Sequence, residues 1–317
     1  MAASGPDAAK DPAVRDPRAT LAAMSAGEAA VSIRHSSGGF SALQLLRQGI
    51  SDLLSRRRLV RYLVQAEMKK RGSNTILGNV WWVLDPLLQM VVYVIFISII
   101  GRQGAPDYPL FIFAAILPWK WFSAVISDAT TSVVRHDRLI KQIAFPKLVL
   151  PMSTTTAGVV GFIWGLIPLG LILLLHPHRL SALLVLLPLI AAVQFVFTLA
   201  VAVLVSAANV FFRDLGNAIS HALRLWWFLS PGLYALAWLD DVKFVRDNPA
   251  ISFLAGFNPF AVLFEAYRSI IYGGPNGELP RLPDFIALAF LLLGSLLLLA
   301  ICVIFFKRVE PDFAKVL

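Results

Sequence analysis

The residues best suited to chemistry in this chain are basic, and they form two short clusters. One lies within 56–71 and the other within 135–147, which reads RHDRLIKQIAFPK. Lys and Arg side chains bind phosphate oxygens and anionic lipid headgroups. Both clusters adjoin long apolar segments, where a basic excess is typical of the cytoplasmic side of a membrane protein. A membrane therefore explains the net charge of +9 better than nucleic acid does. The first cluster comprises Arg56, Arg57, Arg58, Arg61, Lys69, Lys70 and Arg71.

The common catalytic and nucleotide-binding motifs are missing from the sequence. It contains no G-x-x-x-x-G-K-[ST], no H-E-x-x-H and no G-x-S-x-G. Only two of the five histidines, His176 and His178, are close in sequence, and we interpret them as polar turn residues rather than metal ligands. The single cysteine, Cys302, excludes a disulfide within the chain. No catalytic residue, metal or cofactor is therefore predicted in this chain.

Polar residues near position 260 are the next group of interest. Asn258-Pro259 interrupts an apolar stretch, and Glu265 and Arg268 follow at a spacing of three. That spacing places two side chains on one helix face, so the sequence favours a structural Glu265–Arg268 pair. The alternative is that these residues line an external gate.

Aromatic side chains are abundant, with 22 Phe, 8 Trp and 6 Tyr. Rings near a membrane interface anchor the protein in the headgroup region. Rings along a passage would instead pack against sugar rings, and the sequence pattern does not separate the two roles. The residues of interest are Trp119, Trp121, Trp164, Trp227, Tyr234 and Tyr267.

These residues must be positioned by elements that lie in a membrane. The 317 residues are 58% hydrophobic and only 15% charged, and the mean hydropathy is +0.73. Soluble domains carry about 25% charged residues. We therefore predict an all-α membrane protein with six transmembrane helices. Residues 1–40 are predicted to form a disordered cytoplasmic tail, and residues 41–317 a single transmembrane domain.

The apolar segments define the predicted elements. Apolar residues at three- and four-residue spacing predict an amphipathic interface helix over about 45–72. Asp85-Pro86 is typical of a helix start, with Asp85 as the cap. Pro118 and Pro231 are expected to kink or interrupt two of the spans. The predicted spans cover about 80–100, 109–133, 148–175, 181–210, 217–238 and 283–306.

The segment between the fifth and sixth spans is too short in its apolar parts to cross a membrane. We predict two short re-entrant helices within about 250–274, entering from outside. Lys and Arg are concentrated in 56–71, 135–147 and the C-terminal KRVEPDFAKVL. The positive-inside rule then places both termini in the cytoplasm.

Seven strings, in their order and spacing, resemble one family of membrane proteins. The chain is similar to the permease subunits of type-2 ABC exporters of O-antigen, teichoic acid and related polymers, over about residues 45–317. The strings are EMKKRGSNTILGNVWWVLDPLLQMVVY (67–93), YPLFIFAAILPWKWFS (108–123), RLIKQIAFPKLVLP (138–151), ANVFFRDL (208–215), FLSPGLY (228–234), FNPF (257–260) with the following Arg268, and the terminal EPDFAKVL.

The resemblance implies an assembly and a substrate. The family contains two copies of the permease and two separate ATP-binding subunits, which use ATP and Mg²⁺. The substrate is a glycan linked to undecaprenyl diphosphate in the bacterial inner membrane. The basic residues of 56–71 then either receive the lipid pyrophosphate or bind anionic headgroups. The segment matched to the family's coupling helix contains Arg135, Asp137, Arg138, Leu139, Lys141, Gln142, Phe145 and Pro146.

Three other functions remain alternatives at this point. A type-2 exporter of a small lipid or drug has the same architecture. A membrane enzyme such as a lipid-phosphate glycosyltransferase needs an acidic or metal-binding cluster, and a proton-coupled carrier needs buried carboxylates or histidines. Few charges fall deep within the predicted spans, which disfavours the carrier.

Overall fold

The computed structural model describes residues 41–72, 78–99, 106–239, 246–248, 255–274 and 277–317. This part of the chain is helical and contains no β-strand. The predicted tail at 1–40 lies outside it, as do residues 250–254 of the predicted re-entrant segment at about 250–274. The helices are α1 Ala42–Ser55, α2 Arg57–Gly72, α3 Trp81–Ile99, α4 Tyr108–Arg135, α5 Asp137–Gln142, α6 Val149–Leu175, α7 Leu187–Phe211, α8 Leu215–Leu229, α9 Pro259–Ile271, α10 Phe285–Val309 and α11 Phe313–Val316.

Four helical segments are long and apolar enough to cross a membrane. They coincide with the second, third, fourth and sixth predicted spans. The first predicted span corresponds to the shorter apolar helix α3. The fifth corresponds to α8, which ends at Leu229, just before Pro231, as the proline predicted. The segments are Tyr108–Arg135, Val149–Leu175, Ala182–Phe211 and Phe285–Val316.

The predicted interface helix at 45–72 is two helices. A capping box begins α1, because Ser41 Oγ accepts a hydrogen bond from the Gln44 amide and Gln44 Oε1 accepts one from the Ser41 amide. The chain then turns at Arg56, and α2 packs along α6. The apolar period continues across this turn, which is why the sequence suggested one helix.

Two prolines behave differently from the prediction. The helix α3 begins at Trp81, so Asp85 and Pro86 lie inside it and Asp85 is not its cap. The helix α4 continues through Pro118 without a break. A side chain of the neighbouring α7 braces α4 at this position, because Gln194 Nε2 donates to the Pro118 carbonyl at 2.7 Å.

The centre of the fold is α4, which is buried along most of its length by α3, α6, α7, α8 and α9. One end of the bundle carries α1, α2, α5 and α11, whose side chains share a second apolar cluster. We call this the basic end, because both basic clusters lie there. At the opposite end, residues 106–107, 176–179, 272–274 and 277–278 meet.

Close packing of α4 on α6 depends on Gly158. A Cβ at this position would overlap the side chain of Val125 and crowd Trp121. We expect Gly158→Leu to lower the stability of the folded chain by about 1–3 kcal/mol, the usual range for overpacking. Gly170, on the same helix, has open space at its Cβ position, so Gly170→Leu is the matched control. Thermal unfolding in detergent, followed by size-exclusion chromatography, measures both. Equal melting temperatures for the two variants would contradict the prediction.

Candidate functional site

A polar groove of about 450 Å³ lies between α3, α4 and α8. It is of interest because polar side chains inside a membrane protein mark substrate or ion pathways. Its apolar lining includes Trp119 and Trp227, two of the aromatic residues singled out in the sequence. Its polar lining consists of Asp85, Gln89, Tyr93, Lys120, Ser123, Ser127, Ser220 and Arg224.

An ion pair crosses the groove from α3 to α4. Lys120 Nζ lies 2.7 Å from Asp85 Oδ2, and the two side chains are 32% and 59% exposed. Lys120 is near the middle of α4, so the pair lies about midway along that helix rather than at one of its ends. A smaller cavity of about 110 Å³, lined by Trp82, Trp121 and the same pair, adjoins it on the α6 side. Together these groups offer charges and hydrogen-bonding atoms to the hydroxyl groups of a passing ligand.

This pair was not predicted from the sequence. A lysine between Trp119 and Trp121, within a long apolar helix, is the signal that was available, because such charges are rare and functional. Asp85 had been interpreted as a cap. Its real partner is 35 positions away in the chain, a distance that helical periodicity does not reveal.

Aromatic rings form the floor of the groove. The rings of Tyr93 and Trp227 are stacked with centroids 5.9 Å apart, and Trp119 lies 5.5 Å from Trp227. The other four aromatic candidates do not line the groove itself. Trp121 and Tyr267 are buried in the core of the subunit, Tyr234 is half-buried, and Trp164 is an exposed residue that packs on Trp82.

Arg268 anchors the segment that follows α8. Its guanidinium is 2% exposed and lies over the Phe111 ring at 3.8 Å. It does not pair with Glu265, so that prediction is wrong. Glu265 instead contacts Arg281 at 3.1 Å. Arg268 is directed to the end of α8 instead, because the turn at Pro231 leaves buried carbonyl groups there that need a donor. The guanidinium donates to the carbonyls of Phe111, Pro231, Gly232 and Tyr234.

Asn258 and Pro259 begin α9. Pro259 occupies the first turn, and Asn258 Oδ1 accepts hydrogen bonds from the Phe260 amide at 3.0 Å and from Trp226 Nε1 at 3.1 Å. Asn258 Nδ2 donates to Ser230 Oγ at 2.8 Å. The side chain of Asn258 therefore ties the start of α9 to the end of α8, which lines the groove.

Asp107 and Arg179 hold the opposite end of the bundle together. Arg179 is buried and donates to Asp107 and to the carbonyls of Tyr272, Gly277 and Glu278. Burial raises the pKa of Asp107, but hydrogen bonds with His178 and Arg179 outweigh it and hold that pKa below its ordinary value. His178 thus has a structural role in a turn, as its sequence context suggested. Among the residues that the structure describes, no cluster of His, Cys, Asp and Glu is placed to hold a metal ion.

The basic end carries both basic clusters, and most of the basic side chains that the structure describes there are exposed. In α5 and its flanks, Arg135, Arg138, Lys141 and Gln142 are exposed, whereas Ile140 is buried in the apolar cluster beneath them. Asp137 accepts a hydrogen bond from the Arg138 amide at 2.7 Å. Leu139, Phe145 and Pro146 are partly buried. A charged outer face on a buried base is the arrangement that a docking helix requires.

The first cluster is exposed where its side chains are described. Arg56, Arg57 and Arg58 surround the turn between α1 and α2, and Arg61 and Lys69 lie on α2. The side chains of Lys70 and Arg71 lie outside the described residues. Next to these arginines, Leu43, Ile50 and Leu54 form an exposed apolar stripe on α1, so this end combines apolar and basic surface as membrane-interface helices do.

Three curated proteins are similar to this chain, and all are named O-antigen export system permease protein RfbA. The protein from Myxococcus xanthus is 33% identical over 267 residues, which cover 84% of this chain and 98% of that protein. Two proteins from Klebsiella pneumoniae are 26% and 25% identical over 256 residues, covering 80% of this chain and 93% of each relative. No protein-family model matches the chain.

Proposed function

Because the chain belongs to the family of O-antigen export permeases, we propose that it is the membrane subunit of an ATP-driven exporter of O-antigen linked to undecaprenyl diphosphate. The observation that carries this proposal is the polar, aromatic-floored groove between α3, α4 and α8. Stacked rings suit the faces of sugars, and the neighbouring hydroxyl, amide and charged groups suit their hydroxyls. A small apolar drug could not form hydrogen bonds with such a lining, so the lining does not favour that substrate.

The proposed topology has six crossings of the inner membrane. The four long helices account for four of them, and α3 and α8, with the residues that continue them, account for the other two. Asp52 of α1 touches Lys307 near the end of α10, so the first described helix and the C-terminal residues share the basic end, which we place in the cytoplasm. The helix α1 then lies in the membrane interface, and α9 is a re-entrant helix from the outside.

The proposed passage is completed by a second copy of the chain. The groove is open, and its rim on α3 and α8 carries exposed apolar side chains, including Val92, Phe96, Leu225 and Leu229. A homodimer that covers this rim would bury them and close the groove into a continuous channel. A long polymer needs such a channel, because a small occluded site cannot enclose it.

The proposed energy source is a pair of separate ATP-binding subunits that bind ATP and Mg²⁺. They dock on α5, whose outer face is charged and whose Ile140 is fixed in the core. The arginines near the α1–α2 turn lie at the same end, where they would receive the pyrophosphate of the lipid carrier before transport.

Charge reversal on α5 tests the docking surface. The double variant Arg138→Glu, Lys141→Glu is expected to lose at least about tenfold in association with a co-expressed ATP-binding subunit, because opposed charges at an interface become like charges. Co-purification and ATP-dependent export in membrane vesicles measure the effect. Arg47→Glu, an exposed reversal on α1, is the control and should leave association intact. Unchanged association and export in the double variant would rule out docking on α5.

A further inference from the structure

Three charged side chains form a buried network at the basic end. Lys307 Nζ, on the last turns of α10, contacts the carboxylates of Asp52 on α1 and of Glu310, the latter at 2.8 Å. The other oxygen of Glu310 accepts a hydrogen bond from the Lys147 amide at 2.6 Å. The Lys307 side chain is only 4% exposed and that of Glu310 11%. Charges held this far from solvent cost free energy unless each is paired, and here every member has a partner.

The network joins three parts of the chain that are far apart in sequence. Lys147 lies in the turn before α6, separated from the first helical residue by Leu148. Glu310 therefore holds the turn that leads into α6, and its negative charge is favourable near a helix N-terminus. Through Lys307 the same carboxylate is tied to Asp52 of α1.

The residue held by Glu310 is also the end of the proposed docking segment. Pro146 closes that segment, and Lys147 follows it immediately. Beneath α5, Ile140 belongs to the same apolar cluster as Phe313, which is fully buried just after Glu310. The C-terminal residues thus support α5 by packing and hold its exit by a hydrogen bond.

We infer that Asp52, Lys307 and Glu310 are positioning residues that transmit the movement of the ATP-binding subunits from α5 to α1 and α10. A force on α5 reaches the turn at Pro146 first. If that turn were free, it would bend, and the long helices would not move with it. The carboxylate of Glu310 fixes the turn to two other helices, so that they move together. This inference rests on the proposed docking role of α5.

Glu310→Ala is the variant that tests the inference. It removes both oxygens, so in the reconstituted complex the amount of glycan exported per ATP hydrolysed should fall by about tenfold, the factor expected for loss of one charged hydrogen bond from the transmission path. Assembly with the ATP-binding subunit and ATP hydrolysis should persist. Glu310→Gln keeps an oxygen for the Lys147 amide but turns an NH2 donor toward the Lys307 ammonium, so it is expected to recover only part of the ratio. Asp312→Ala, which removes the exposed partner of Lys315, is the matched control and should behave as the wild type.

A second measurement does not depend on export. In the purified chain alone, Glu310→Ala should speed amide hydrogen exchange at 147–150 by about tenfold relative to Asp312→Ala, because one protected amide loses its acceptor. Unchanged exchange, or faster exchange with an unchanged export-to-hydrolysis ratio, would overturn the inference. A wild-type chain that binds no ATP-binding subunit would instead overturn the proposed function, and the two failures are therefore distinguishable.

Discussion

Replacement of Arg268 by methionine is expected to abolish export and to leave little stably folded protein. The guanidinium donates to four carbonyls, among them Pro231 at 2.6 Å and Tyr234 at 3.0 Å, and covers the Phe111 ring. Methionine fills the space but donates nothing, so these buried carbonyls lose their partner. Each hydrogen bond to a charged group contributes about 1.5–3 kcal/mol, and we expect a total loss of at least about 3 kcal/mol.

Two further variants separate the charge of Arg268 from its hydrogen-bonding geometry and provide a control. Arg268→Lys keeps the charge, but one ammonium group cannot reach carbonyls that surround a planar guanidinium, so an intermediate loss is expected. Arg281→Met is the control, because Arg281 is 51% exposed and its contacts with Glu265 and Glu278 lie at the surface, where such pairs contribute at most about 1 kcal/mol. Folded yield and melting temperature in detergent measure all three. If Arg268→Met and Arg281→Met were equally stable, Arg268 would not be an anchor.

Arg268 also shows which parts of this fold the sequence can predict. Pro231 predicted an interruption of the fifth span, and α8 ends just before it. Asn258-Pro259 predicted a break in an apolar stretch, and α9 begins there. Both signals act over one helical turn. The sequence could not predict that the carbonyls at the end of α8 need a donor, or that Arg268 would supply it. The spacing of three between Glu265 and Arg268 suggested a local pair. In the structure Glu265 contacts Arg281 instead, and Arg268 binds backbone carbonyls.

The polar groove also depends on contacts between residues that are far apart in sequence, which the sequence did not predict. Hydropathy located the long helices to within a few residues, because each must be apolar over its whole length. It did not reveal which polar side chains would face one another across three helices. Residue type pointed to Trp119 and Trp227, which do line the groove, but it pointed equally to Trp121 and Tyr267, which are buried and do not line it.

The turn at Arg56 was missed for a different reason. The apolar pattern of α1 and α2 is continuous, and the capping box at Ser41 is a signal for a helix start only. What separates the two helices is tertiary packing, because α1 contacts α10 whereas α2 follows α6. The apolar periodicity of one segment does not indicate which other helix that segment packs against.

Chemical blockage of the groove is expected to stop export. Ser127 is exposed within it, and the only cysteine of the sequence, Cys302, is buried, so Ser127→Cys creates a single accessible thiol. A bulky cationic methanethiosulfonate reagent attached there would occupy much of the 450 Å³ and stand in the proposed path of the glycan. Export by the reconstituted complex should fall to near background on modification and recover when dithiothreitol removes the reagent.

A control must show that the loss of export depends on where the reagent is attached, and not on modification of the protein as such. Ala289→Cys provides that comparison, because Ala289 is exposed on α10 and does not line the groove. Modification there should leave export unchanged, while ATP hydrolysis reports whether the complex remains assembled in both cases. A passage formed by two facing grooves is blocked when either copy is modified, so labelling half of the subunits should inhibit more than half of the export. Continued export by the fully modified Ser127→Cys protein would place the glycan path elsewhere in the assembly.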